Sequence, residues 1–156
     1  DLPVGALMVP TKVLRPDSDL AVTIEGGAGT LLSIDSVASP AVKQELAGKY
    51  QADAVDMEAA AVAAVAREKG VRFVAIKAIS DDVDFEMPPL NAFIGPNGEF
   101  RTARFALHTV VRPGTWPVVR RLQQNTNRAV QSLCEGLARI TRADDVDNFL
   151  RVARAS

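Results

Sequence analysis

Two short acidic segments carry the residue types that a reaction centre needs: Val55-Asp56-Met57-Glu58-Ala59-Ala60-Ala61 and Ala78-Ile79-Ser80-Asp81-Asp82. Each follows an apolar run of strand type. Glu58 and Asp81 are therefore expected at the carboxyl ends of neighbouring strands, where open α/β sheets bind ligands. Glu58 also opens an alanine-rich helix, and a helix N-terminus favours an ionised carboxylate. Such a group accepts two hydroxyl donors at once, and a ribose diol offers that pair. Asp81 closes an apolar strand. A carboxyl kept protonated by such surroundings can hand its proton to a leaving group.

The elements that must hold these segments read as strands alternating with helices. In the first third, Ala6-Leu7-Met8-Val9 ends at Pro10, and two more β-type runs cover 20–24 and 30–34. Glycine and proline between such runs predict strands joined by turns. Ser39-Pro40 predicts a helix over 41–49, with serine as N-cap and proline at the first helical position. Residues 52–57 predict a short buried strand and 58–69 a helix. Every residue from Ala59 to Ala66 is alanine or valine, so this helix is expected to be buried nearly all round. Gly70 is its expected stop. The continuous apolar run 73–79 predicts a buried strand, which makes 52–79 a βαβ unit with a parallel pair.

The last third reads as helical. An irregular loop over 84–98 leads to a helix over 100–111, broken at Pro113-Gly114. A long helix follows over 116–140, with Val119, Leu122, Thr126, Ala129, Leu133, Leu137 and Ile140 on one face. A terminal helix is expected over 147–155. No linker is visible, so 1–156 is read as one domain.

Composition narrows the function classes. Of 156 residues, 47% are hydrophobic and 24% charged, the profile of a soluble globular domain. Eighteen basic and nineteen acidic residues nearly cancel, which argues against a nucleic-acid polymer or an anionic membrane as partner. A single cysteine, Cys134, and a single histidine, His108, exclude a disulfide framework and cysteine- or histidine-rich metal sites. No apolar run approaches the ~20 residues of a membrane span. The N-terminus lacks the regions of a signal peptide, and a cytoplasmic location is expected.

The paired motifs Asp56-Met57-Glu58-Ala59-Ala60 and Ala78-Ile79-Ser80-Asp81, at this separation, resemble the nucleoside phosphorylase and nucleosidase superfamily, which includes 5′-methylthioadenosine/S-adenosylhomocysteine nucleosidase. The resemblance runs from about residue 4 to about residue 84. It is densest over 30–37, 55–61 and 73–81. The tail, with Phe85-Glu86-Met87-Pro88-Pro89 and the long helix, looks most like the hopanoid-associated branch, whose proposed substrate is adenosylhopane.

The resemblance implies a three-layer α-β-α sandwich with a mixed central sheet, here with a helical C-terminal third. It implies cleavage of the N-glycosidic bond of a purine nucleoside by water or phosphate. Asp81 matches the general acid that protonates N7 of the purine, and Glu58 the glutamate that binds the ribose hydroxyls. Met57 matches the methionine that packs on the sugar. Asp56 stands where relatives often carry glutamate. Ser80 matches a residue near the base. Val37 and Ala38 fall where the superfamily stacks an aromatic on the base and reads it through backbone groups; that aromatic is absent. No metal or organic cofactor is implied, with phosphate as a possible co-substrate. A homo-oligomer is implied.

The superfamily's domain begins with strands that have no counterpart here, including a glycine-rich phosphate- or water-side loop. The chain therefore resembles the C-terminal part of such a domain. Asp17, Asp19 and Glu25 do not stand in the context of the missing water-activating acid. Two further readings remain beside the enzyme: a nucleoside-binding or assembly module without catalysis, and an oligomeric structural fragment whose sheet edge another chain covers.

Other residues are expected to be structural. Asp81-Asp82-Val83-Asp84 lacks the glycine of a calcium loop, and the Gly26-Gly27-Ala28-Gly29 tract lacks the lysine of a phosphate loop and reads as a turn. His108 has no nucleophile motif beside it. Cys134 is expected as a small core residue, and Trp116 as core or subunit contact.

Overall fold

A computed structural model of the chain describes residues 2–142 apart from positions 17, 19, 20, 25, 26, 89, 94, 96–98 and 100. The expected helix over 147–155 and the acids Asp17, Asp19 and Glu25 lie outside the described residues. So do Gly26, the strand and helix ends expected at Leu20 and Phe100, and parts of the 84–98 loop.

The architecture is mixed α/β. Strands β1 (Leu7–Met8), β2 (Lys12–Leu14), β3 (Ala21–Thr23) and β4 (Thr30–Ser33) precede helix α1 (Pro40–Tyr50). Then come β5 (Ala54–Asp56), α2 (Ala59–Glu68), β6 (Lys77–Ala78), a 3-10 turn (Leu90–Phe93), α3 (Thr102–Val110), a second 3-10 turn (Pro113–Thr115) and α4 (Trp116–Arg142). Four strands form a mixed sheet in the order β3-β2-β4-β5. β2 runs antiparallel to β3 and parallel to β4, and β4 runs parallel to β5. β1 and β6 form a separate antiparallel ribbon, with Leu7 opposite Ala78.

The expected βαβ unit is displaced by one element. The parallel pair is β4 and β5, linked through α1, and not the pair flanking α2. β6 is short because only Lys77 and Ala78 reach the two-residue β1; residues 73–76, expected as strand, make no ladder. β2 was not expected at all. It is three residues long and lies between Pro10 and Pro16, so its apolar signal is only two residues, Val13 and Leu14. Pairing on both edges makes it a strand, and Val13 is completely buried.

Helix ends follow their local chemistry. Ser39 caps α1, its Oγ accepting from Val42 N at 3.4 Å, with Pro40 in the first turn. Gly70, at φ +64°, lies beyond the end of α2 in the left-handed region that glycine adopts without strain. The core forms where Val13, Ile24 and Leu31 of the sheet region meet Ala59 and Ala60 of α2. Alanines on this face let the helix approach the sheet closely. The rest of α2 corrects the expectation of all-round burial: Val62 and Val65 are both 56% exposed.

α4 lies against the β1–β6 ribbon. A Cβ on Gly136 would sit 2.7 Å from Leu7 Cδ1, so any larger residue there would have to displace the Leu7 side chain. Ala129 is buried as expected, but the inward line departs from the expected stripe elsewhere, since Thr126 and Leu137 are exposed and Gly136 is buried. Cys134 is also exposed, contrary to its expected place in the core. Trp116 is 54% exposed, its Nε1 donating to Thr109 O. His108 stacks edge-on against Phe93 at 5.1 Å. Among the described residues no helix is long and apolar enough to cross a membrane.

Candidate active site

Because β2, β4 and β5 are parallel, the segments leaving them emerge on one side of the sheet. A cavity of about 510 Å³ lies there. Its wall takes residues following β4, β5 and β6, together with Lys43 of α1. All seven residues singled out from the sequence line it: Val37, Ala38, Asp56, Met57, Glu58, Ser80 and Asp81. Ala38 is buried and Val37 half-buried at the entry to α1.

The β5–α2 corner is built on hydrogen bonds to main chain. Ser33 Oγ donates to Asp56 Oδ1 at 2.5 Å and accepts from Ala60 N at 2.9 Å. Asp56 Oδ2 accepts from Ala59 N at 2.9 Å and lies 2.5 Å from Lys77 Nζ. Two of the orphan donors at the start of α2 are thereby satisfied. Asp56 is 92% buried at its side chain, leaving 8% exposed, and its two oxygens serve three donors. The expected cap role of Glu58 differs in detail: Glu58 holds the N-cap position, but its side chain makes no capping bond to the helix. Instead, Oε2 accepts from Met57 N at 3.3 Å and stands 3.9 Å from Lys77 Nζ. With 70% of its side chain exposed, Glu58 is the carboxylate free to meet a ligand's donors. Met57 beside it is 42% exposed.

The second acidic segment is held by side chains. Ser80 Oγ donates to Asp81 Oδ1 at 2.7 Å. The Lys43 ammonium binds Asp81 Oδ2 and also donates to the carbonyl oxygen of Asp82 at 2.9 Å. Arg121 of α4 pairs with Asp82 Oδ2 at 3.1 Å and lies over the Phe85 ring. Gln44 reaches Asp84 Oδ1 at 3.4 Å. The aspartates of this stretch are thus engaged with lysine, arginine and glutamine.

Both acidic segments, the residues after β4 and helix α1 stand between positions 28 and 94, and that span matches a protein-family model described as the phosphorylase superfamily. The match makes this stretch similar to that superfamily and covers less than half of the chain. The segment holds β4, α1, β5, α2 and β6. No curated protein and no solved structure matches the chain.

Two site residues of this stretch were missed from the sequence. Lys43 and Lys77 bring the positive charge that faces Asp81, Asp56 and Glu58. Lys77 had a signal, being a charge inside the apolar run 73–79. Lys43 had none, because its partner is 38 positions away in sequence. Ser33, the buried hydroxyl at the end of β4, was likewise read only as part of a strand.

Proposed function

We propose that this cavity cleaves the N-glycosidic bond of a purine nucleoside, adenine-bearing in the first instance. The reading is carried by one observation: Glu58 and Asp81 leave different strands yet line the same cavity, whose volume suits a small ligand. The phosphorylase-superfamily match over both segments supports it.

In this mechanism Glu58 accepts the two ribose hydroxyls, and Met57 packs on the sugar. The base lies towards Ser80 and Asp81, with Val37 and Ala38 along its edge. Asp81 takes up a proton from solvent on Oδ1, the oxygen not paired with Lys43, as the nucleoside binds; as the C1′–N9 bond breaks, its electron pair moves onto the purine and that proton moves to N7. The base then leaves neutral. Water or inorganic phosphate adds to the oxocarbenium carbon C1′. Lys77 keeps Asp56 in the helix cap and so fixes the turn that presents Glu58.

The test incubates the protein with adenosine, methylthioadenosine, adenosylhomocysteine and inosine, with and without phosphate, and measures free base. Release is expected, and Asp81→Asn should lower it by about 10²–10⁴-fold, the usual contribution of a general acid. Full activity in Asp81→Asn would remove Asp81 from the role. A second reading, nucleoside binding without turnover, is favoured by the Lys43–Asp81 ion pair, in which Asp81 acts as an acceptor. Calorimetric binding with no base release in any arm would support it.

A further inference from the structure

α1 borders the cavity but has no apolar reason to stay there. None of its residues is buried, and its apolar positions gather on no face. Polar contacts hold it beside the second acidic segment. Lys43 binds Asp81 and the Asp82 carbonyl oxygen, and Gln44 reaches Asp84. The Lys43 and Asp81 side chains are only 11% and 17% exposed. An ion pair so far removed from water binds strongly to its geometry, because either charge left alone there is costly.

The ammonium has three donors and no acceptor, and these contacts divide the Asp81 carboxylate between two partners. Oδ2 faces Lys43; Oδ1 faces the Ser80 hydroxyl. A hydroxyl can rotate away and find another partner. Lys43 cannot leave without also releasing Asp82 O. We propose that Lys43 is the positioning residue of the site: it clamps α1 to the 81–84 segment and holds Asp81 by Oδ2, so that Oδ1 is the oxygen presented to the ligand. The charged groups near Asp81 include Lys43 from α1, Asp82 and Asp84 from its own segment, Arg121 from α4, which acts on Asp82, and Lys77 and Glu58 across the cavity. Lys43 alone among them binds the Asp81 carboxylate. The kinetic side of this proposal rests on Asp81 being the acid; the clamp rests on the contacts alone.

Hydrogen exchange and base-release kinetics on the full chain test the two sides separately. Lys43→Met should speed amide exchange across 40–50 by roughly tenfold, the loss expected for a charged hydrogen bond, while α2 exchanges as before. Asp81→Asn should speed the same amides, and Lys43→Arg should restore most of the protection. In the rate assay, Lys43→Met should lower kcat at least tenfold with KM changed less than threefold, and Lys43→Arg should recover part of kcat. Unchanged exchange over 40–50 in both Lys43→Met and Asp81→Asn overturns the clamp. Faster exchange with unaltered kcat overturns the positioning of the acid. If the wild-type chain releases no base from any nucleoside, the proposed reaction fails, and the exchange data still decide the clamp.

Discussion

The corner between β5 and α2 and the segment after β6 lead to the same cavity but are built differently. At the corner, β5 is paired to β4 along its length, and the acid Asp56 is fixed by the Ala59 main-chain N–H, a buried serine and Lys77. Glu58 projects beyond the corner with 70% of its side chain exposed. After β6 the backbone belongs to a two-residue ribbon, and the acid Asp81 is fixed by a lysine and a serine. Asp56 sits on a strand paired along its length and takes a main-chain donor as well as side chains, whereas Asp81 is held by the Lys43 and Ser80 side chains. A glycosidic cleavage calls for this division. In the proposed reaction the sugar is held at the corner, whereas Asp81 gains negative charge as it hands over its proton and keeps the donors Lys43 and Ser80 beside it.

Two substitutions probe the division, the larger effect first. Ser33→Ala removes the hydroxyl that serves both Asp56 and Ala60 N, in a place only 3% exposed. Leaving buried groups unpaired costs about 1–3 kcal/mol, and urea unfolding should show a loss of that size. A loss below about 0.5 kcal/mol would mean that the corner is less rigid than its contacts imply. Arg121→Ala removes an ion pair to Asp82 whose partners are 60% and 31% exposed. Exposed pairs contribute about 0.2–1 kcal/mol, so unfolding should shift by less than about 1 kcal/mol, and less still in high salt. A larger loss would make the second segment as firmly built as the first.

The same contrast explains what could be read from the sequence. The Ser39-Pro40 helix start, the Gly70 stop and the long α4 are local signals, and they appear where expected. The corner was legible because a strand end, an acidic pair and an alanine helix are contiguous. β2 was not legible, since three residues become a strand only through neighbours on both edges. The partner of β6 could not be foreseen either, because it is β1, some seventy positions earlier. The burial of α2 was over-read: composition says that Val62 and Val65 are apolar, not that another layer covers them. The seven cavity residues came from the motifs, but the two lysines that balance their charge did not. A salt bridge between distant segments leaves no spacing to read.

The central claim is that Glu58 and Asp81 act on opposite ends of one nucleoside. The most direct measurement is a crystal structure of the protein with an adenine C-nucleoside, whose carbon–carbon glycosidic bond resists cleavage. The account predicts the ligand in the 510 Å³ cavity, with the ribose diol within hydrogen-bond distance of the Glu58 carboxylate and the N7 edge at Asp81 Oδ1. A ligand bound with its sugar at Asp81, or one that touches neither carboxylate, would contradict it.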